Sequence, residues 1–347
     1  MLTADELTDQ QAEAELSIGH RVGNWKTLAS FGFAVLVMAI VVAKGGINPT
    51  AMWDRLRHLN IALFIAGFVV YYSTFPLRGY RWQVLLRNAY GRSDTAVDDM
   101  SVKGLTEIIY ISWFVNCVVP AKLGDLYRAY LVKLWSGISF TKTIGTVMAE
   151  RIVDIVVLSA LLFGTGLIVF HDRLGKVGAI LFMGMGLAVV GVIFLVFLKT
   201  FSSHIRRRIP ERFVARYVAF EEGTLHSFRR LPLLLGVTAL IWLLEGCRLQ
   251  LVFGALGIHT HSISGIPFAP MLFLALATAV LTTVPFTPGG LGLVEVGLGS
   301  IMVYLGIPKA DAAAIVLVDR ILSYYSIAIL GFLVYLLSKR SHFRHPV

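Results

Sequence analysis

Long apolar runs alternate with short polar, mostly basic stretches along this chain. Residues 28–43, 59–77, 143–170, 177–198, 231–258 and 311–338 read as helices that cross a bilayer, a task that takes about 20 apolar residues. Two further apolar stretches are interrupted. Residues 108–135 contain Val119-Pro120-Ala121-Lys122-Leu123-Gly124-Asp125, and residues 267–305 contain Val284-Pro285-Phe286-Thr287-Pro288-Gly289-Gly290-Leu291-Gly292, with Glu295 in the first turn of a new helix. Proline lacks the N–H and glycine loses the most backbone entropy, so a helix stops at both places. In hydrocarbon, irregular backbone survives only where protein or a water-filled cavity surrounds it. Both breaks therefore read as tips of helical hairpins that line a site, the alternative being a tight loop at the membrane surface.

Three landmarks occur twice in the same order. Arg81-Trp82-Gln83 matches Arg248-Leu249-Gln250, Val119-Pro120 matches Val284-Pro285, and Glu150-Arg151-Ile152 matches Asp319-Arg320-Ile321, at separations of 167, 165 and 169 residues. One matching dipeptide would mean nothing; three in register predict a duplicated unit, about 59–170 and 231–338. Basic residues then set its orientation. Eight full crossings would leave 16 loop Lys and Arg inside and 12 outside. Six crossings with two re-entrant hairpins give 22 inside and 6 outside, which obeys the positive-inside rule far better. The fold expected is an all-α polytopic membrane protein, with about six transmembrane helices and two re-entrant hairpins in an inverted repeat, a recurrent transporter architecture. Both termini are then cytoplasmic and the cell membrane is the expected location.

Composition agrees, since charged residues make up 15% of the chain against about 25% in soluble proteins. The net charge of +10 raises a nucleic-acid reading, but the basic residues sit between apolar runs, so nucleic acid is excluded as a partner. Residues 1–24 form a polar tail, 25–338 the membrane domain, 199–230 a basic cytoplasmic loop open to anionic inner-leaflet lipids, and 339–347 a basic tail. The first apolar run lacks a small-residue cleavage site and reads as an uncleaved span. Cys117 and Cys247 lie in apolar segments and read as free thiols, and no metal or cofactor is expected. No phosphate-binding loop or H-E-x-x-H motif is present, Gly184-Met185-Gly186 lies inside a span, and the His259-x-His261 pair is a weak metal signal.

Half-helices that end at mid-membrane direct N–H groups and a positive dipole end at the cavity, an anion site. Pro288, Gly289, Gly290 and Gly292 would let a phosphate approach the backbone, faced by Lys122 and Arg128, beside Gly124 and Asp125, from the other hairpin. The same glycines also suit close helix packing. Arg151 lies beside Glu150 and Asp154, and Arg320 beside Asp319. Charges in a membrane helix usually face a polar pathway; a structural ion pair is the other reading. Glu245 and Arg248, spaced i, i+3, form a second candidate site.

These residues, Pro120…Gly124-Asp125…Arg128, Glu150-Arg151-x-x-Asp154, Pro285-x-x-Pro288-Gly289-Gly290-x-Gly292-x-x-Glu295 and the late Arg320, resemble the lysylphosphatidylglycerol synthase transmembrane-region family. The resemblance covers nearly everything after residue 25. It implies a flippase-like domain that moves a lipid with an anionic or phosphate-containing headgroup between leaflets without ATP. Two departures stand out: the family's soluble aminoacyl-transferase half is not in these 347 residues, and Asp125 stands where glutamate is expected. An enzyme, either a membrane glycosyltransferase or a lipid transferase, is the alternative, as is a non-catalytic member of a biosynthetic complex. A second copy or a biosynthetic enzyme stays open as partner.

Overall fold

The structure is a computed structural model that describes residues 48–91, 95–119, 123–171, 174–258, 268–283 and 288–338. The expected span at 28–43, both tails, Lys122, Pro285 and the His259/His261 loop lie outside the described residues. All regular structure among the described residues is helical: α1 (Pro49–Arg57), α2 (Ile61–Tyr90), α3 (Thr95–Asp98), α4 (Val102–Val118), α5 (Gly124–Ser136), α6 (Phe140–Val169), α7 (Leu174–Arg208), α8 (Glu211–His226), α9 (Leu231–Ala255), α10 (Phe268–Thr283), α11 (Leu293–Tyr304), α12 (Lys309–Arg320) and α13 (Ser326–Leu337). Five segments among them are long and apolar enough to cross a membrane, contributed by α2, α6, α7, α9 and the α12–α13 unit. They overlap the five expected spans that fall within the described residues, with bounds shifted by up to about 20 residues.

Local chemistry sets the helix ends. The Asn60 side chain accepts from Leu63 N–H at the start of α2, and Ser101 and Ser139 do the same for α4 and α6. Gly91 and Gly137, both at positive φ, close α2 and α5. The halves of the two interrupted stretches, 17 and 13 residues for α4 and α5, 16 and 12 for α10 and α11, fall short of a full crossing.

The expected copies correspond to α2, α4–α5 and α6, and to α9, α10–α11 and α12–α13. α2 and α9 pack along each other in opposite directions: Asn60 N–H at the start of α2 donates to Ala255 O at the end of α9, 2.8 Å, and Asn88 near the end of α2 donates to Ser227 O just before α9, 2.9 Å. Equivalent helices therefore run antiparallel, as an inverted repeat requires. The copies also exchange their last helices. α13 packs on α4 of the first copy, and α6 packs on α10 of the second, where Phe170 meets Phe273 at 5.2 Å.

One expectation is corrected. Residues 199–230 are not a loop. α7 continues to Arg208, α8 follows, and a 3₁₀ turn at Ser227–Arg230 leads into α9. Ser202 and Arg206 both donate to Glu221, at 2.7 and 2.9 Å, and fold α8 back onto α7. Reading the stretch by its charges hid the apolar positions Val214 and Val218 between them.

Candidate functional site

A Cβ on Gly124 would overlap Ser112 O, so only glycine lets α5 lie this close to α4. The tip of this first hairpin is fastened by Gly124 N–H to Asn116 Oδ1, 2.9 Å, and Ser112 Oγ to Gly124 O, 2.8 Å. In the second hairpin Gly289, Gly290 and Gly292 all have positive φ. The Gly292 N–H donates to Glu295 Oε2 at 2.6 Å, so the exposed N–H expected for a headgroup is taken by the chain's own carboxylate in this conformation. Each half-helix thus carries an acidic residue in its first turn, Asp125 in α5 and Glu295 in α11, where the helix dipole favours a negative charge.

Each of these carboxylates meets an arginine of a later helix, a pairing the sequence did not show. Arg151 contacts both oxygens of Asp125 at 3.0 and 3.1 Å, and Arg320 Nε donates to Glu295 Oε1 at 2.7 Å. The neighbouring carboxylates face the other way, toward α2 and α9. Arg81 binds Glu150 and Asp154, both at 2.6 Å, while Arg248 binds Asp319, its equivalent of Glu150, and Glu245 at 2.9 Å. The two copies are therefore wired alike: Arg81 to Glu150 as Arg248 to Asp319, and Arg151 to Asp125 as Arg320 to Glu295. Contacts also cross between copies. Arg81 donates to Thr238 Oγ1 at 2.7 Å, Arg248 lies 5.7 Å from the Tyr71 ring, and Arg78 bonds Glu245 at 3.1 Å.

Two placements differ from expectation. The basic-aromatic run Arg78-Gly79-Tyr80-Arg81-Trp82, a composition expected at a membrane interface, lies inside the protein instead: Arg78, Arg81 and Trp82 are buried, and only Tyr80 is exposed. Pairing with Glu150, Asp154 and Glu245 makes that burial tolerable, since an unpartnered buried charge costs several kcal/mol. Arg128 does not face the glycine tip. It pairs with Glu150 at 2.8 Å, lies 3.6 Å from Asp125 and sits over the Trp82 ring at 4.8 Å. Among the described residues, the cation at the glycine tip is Arg320, which donates to Gly289 O at 3.2 Å.

Sequence reading missed Tyr324. It lies in a π-helical turn, Ile321–Tyr325, immediately after Arg320, and such turns collect at functional sites. Its hydroxyl donates to Cys117 O in the first hairpin at 2.8 Å. Its ring lies against Gly289 of the second hairpin and under the Arg320 guanidinium at 5.1 Å. One tyrosine thus joins both tips. Nothing in a single sequence separates it from Tyr325, which is 40% exposed.

Exposure is uneven across the network. The Arg151 side chain is 37% exposed and Asp125 17%, whereas Arg320 and Glu295 are 6% and 9% exposed. The Arg151–Asp125 pair is the more exposed of the two. Among the described residues no three His, Cys, Asp or Glu side chains are grouped to hold a metal.

Comparison with known proteins places the chain among membrane proteins. The chain is 31% identical over 237 residues to a UPF0104 membrane protein of Methanocaldococcus jannaschii, covering 67% of this chain and 97% of that one. It is 22% identical over 329 residues to a UPF0104 membrane protein of Pyrococcus horikoshii, covering 86% and 92%. Glycosyltransferase AglD of Haloferax volcanii is 26% identical over 342 residues, covering 87% of this chain, which spans about half of that protein (52%). The model for the lysylphosphatidylglycerol synthase TM region matches residues 29–331, and the chain belongs to that family.

Proposed function

We propose that the protein is a translocase that moves a lipid with an anionic or phosphate-containing headgroup between leaflets, without ATP. The observation that carries this reading is the Arg151–Asp125 pair: a guanidinium that is reachable, at a half-helix start, within a charge network that has a less exposed inverted counterpart in Arg320–Glu295. A guanidinium binds phosphate through two parallel N–H groups. An inverted repeat with interrupted helices can present one site to either side in turn. In this reading α4–α5 enters from the cytoplasmic side and α10–α11 from the outer side of the cell membrane, an orientation that the excess of loop Lys and Arg on the inner side still favours once buried Arg78, Arg81 and Arg128 are set aside.

Purified protein in phosphatidylcholine vesicles with a trace of tail-labelled phosphatidylglycerol tests the reading. Dithionite bleaches only outer-leaflet label, so faster loss of the protected fraction than in protein-free vesicles is expected. The name of the Haloferax volcanii relative supports a second reading, an enzyme acting on a lipid-linked sugar or a membrane partner of one. Unchanged leaflet distribution together with a new lipid mass after addition of a sugar donor would favour the enzyme.

A further inference from the structure

We propose that an anionic headgroup enters this site together with a proton, which Asp125 takes up. The inference rests on the translocase reading and adds its energy coupling. Among the described residues, the ion-paired group around Arg151 sets Arg81, Arg128 and Arg151 against Asp125, Glu150 and Asp154, each with an opposite charge within 3.6 Å. Its net charge is zero. An entering phosphate would leave it one charge negative, and an uncompensated buried charge costs several kcal/mol. The carboxylates sit on packed helices and cannot leave. When two anions compete for one cation, protonating one of them is the cheaper outcome.

Geometry selects which one. Arg151 is the reachable cation, because every other arginine of the network is 7% exposed or less. A phosphate that binds Arg151 takes Asp125's closest partner. Glu150 keeps Arg81 and Arg128, and Asp154 keeps two bonds to Arg81. Among the described residues, Asp125 keeps only Arg128 at 3.6 Å. The charged described groups that face it are Arg128 from α5 and Arg151 from α6. On the α4 side, Ser112 and Asn116 hold the adjacent Gly124 and carry no charge. The proton comes from water on the open side and leaves with the headgroup, so a singly charged lipid moves with no net charge.

The test uses the full chain in phosphatidylcholine vesicles with trace tail-labelled phosphatidylglycerol. A pH gradient is imposed in one arm and a potassium diffusion potential in the other. Expected is enrichment of label in the leaflet facing the alkaline side, approaching about tenfold per pH unit at one proton per lipid, with no response to the potential. Asp125→Asn, which cannot take a proton, should reverse this: no bias from the pH gradient and a bias from the potential. Asp125→Glu should behave as wild type. Should Asp125→Asn not fold, wild type and Asp125→Glu still decide the matter. Wild-type label that follows the potential and ignores the pH gradient overturns proton entry while leaving translocation standing. No movement of label in any arm overturns the translocase reading itself.

Discussion

Arg78 and Glu245 are hydrogen-bonded at 3.1 Å and lie 167 residues apart, the same spacing that relates Arg81 to Arg248. They occupy one position in the two copies of the repeat, so here each copy meets its own counterpart. Charges of one sign cannot face each other there without several kcal/mol of repulsion in a low-dielectric interior. One copy carries the cation and the other the anion. This is where the repeat has to depart from its own symmetry.

That argument predicts the result of a swap. Arg78→Met leaves Glu245 with Arg248 alone, and Glu245→Met leaves both arginines short of a partner; loss of one member of a buried pair costs about 3–5 kcal/mol. In the double variant Arg78→Glu/Glu245→Arg, the new glutamate lies i, i+3 from Arg81, as Glu245 now lies from Arg248. Its melting temperature in detergent should exceed that of Glu245→Met. A double variant less stable than both single ones would refute the equivalence of the two positions.

Arg151 and Arg320 hold equivalent positions at different exposure, which separates their expected roles. Arg320→Met strips buried Glu295 of its partner and frees Gly289 O, and should cost about 3–5 kcal/mol. Asp125 keeps Arg128 at 3.6 Å after Arg151→Met, and the pair is the more exposed of the two, so the stability cost should be smaller than for Arg320→Met. Lipid movement should nonetheless fall in Arg151→Met and recover partly in Arg151→Lys, which restores charge without the bidentate fork. Thermal melting and the dithionite assay on the same preparations check both statements.

The spans, the two broken stretches and the repeat were legible because they depend on local signals: apolar run length, Pro and Gly, and recurrence of short motifs. Asp125, Glu150, Arg151, Glu295, Asp319 and Arg320 were legible as charges in apolar runs. Their pairing was not, since Arg151 bonds Asp125, 26 residues earlier, as well as Asp154 three residues on. Arg78 and Arg81 were misplaced because a basic-aromatic cluster at the end of an apolar run looks the same at an interface and in a core. What decides is the partner supplied by α6 and α9, and that depends on tertiary packing. Gly289 was read as room for a ligand, whereas the space beside it is filled by Tyr324.

The distribution of basic residues makes a topological claim that labelling can check. Ser203 is exposed near the basic end of α7, and Trp53 is 64% exposed on α1. With a cytoplasmic N-terminus and non-crossing hairpins these positions lie on opposite sides of the membrane. In a Cys-free background, cysteine at Trp53 should react with an impermeant thiol reagent in intact cells. Cysteine at Ser203 should react only after lysis. Reaction of Ser203→Cys in sealed cells would rule out the arrangement.

The contact between Gly289 and Tyr324 supplies a double-mutant cycle at the point where the two hairpins meet. Gly289 has φ 56° and ψ 19°, a left-handed conformation that costs an L-residue about 1–2 kcal/mol. A Cβ there would also run into the Tyr324 ring. Gly289→Ala should therefore lose more than the conformational cost alone. Removing the ring should remove only the second part, so Gly289→Ala in a Tyr324→Ala background should cost about 1–2 kcal/mol. The difference between the two backgrounds is the coupling energy, and contacting residues typically show about 0.5–3 kcal/mol. Tyr324→Phe separates the hydroxyl from the ring. Combined with Gly289→Ala it keeps the collision with the added methyl group and loses the bond to Cys117 O, worth about 1 kcal/mol. Gly299, whose added Cβ meets nothing within 4 Å, is the control; Gly299→Ala inside α11 should be neutral or mildly stabilising. If lipid movement requires the tips to part, Tyr324→Phe should speed the leaflet exchange it leaves intact, while Arg320 still holds Gly289 O. Identical costs for Gly289→Ala with and without the Tyr324 ring would show that the tips are not joined through this residue.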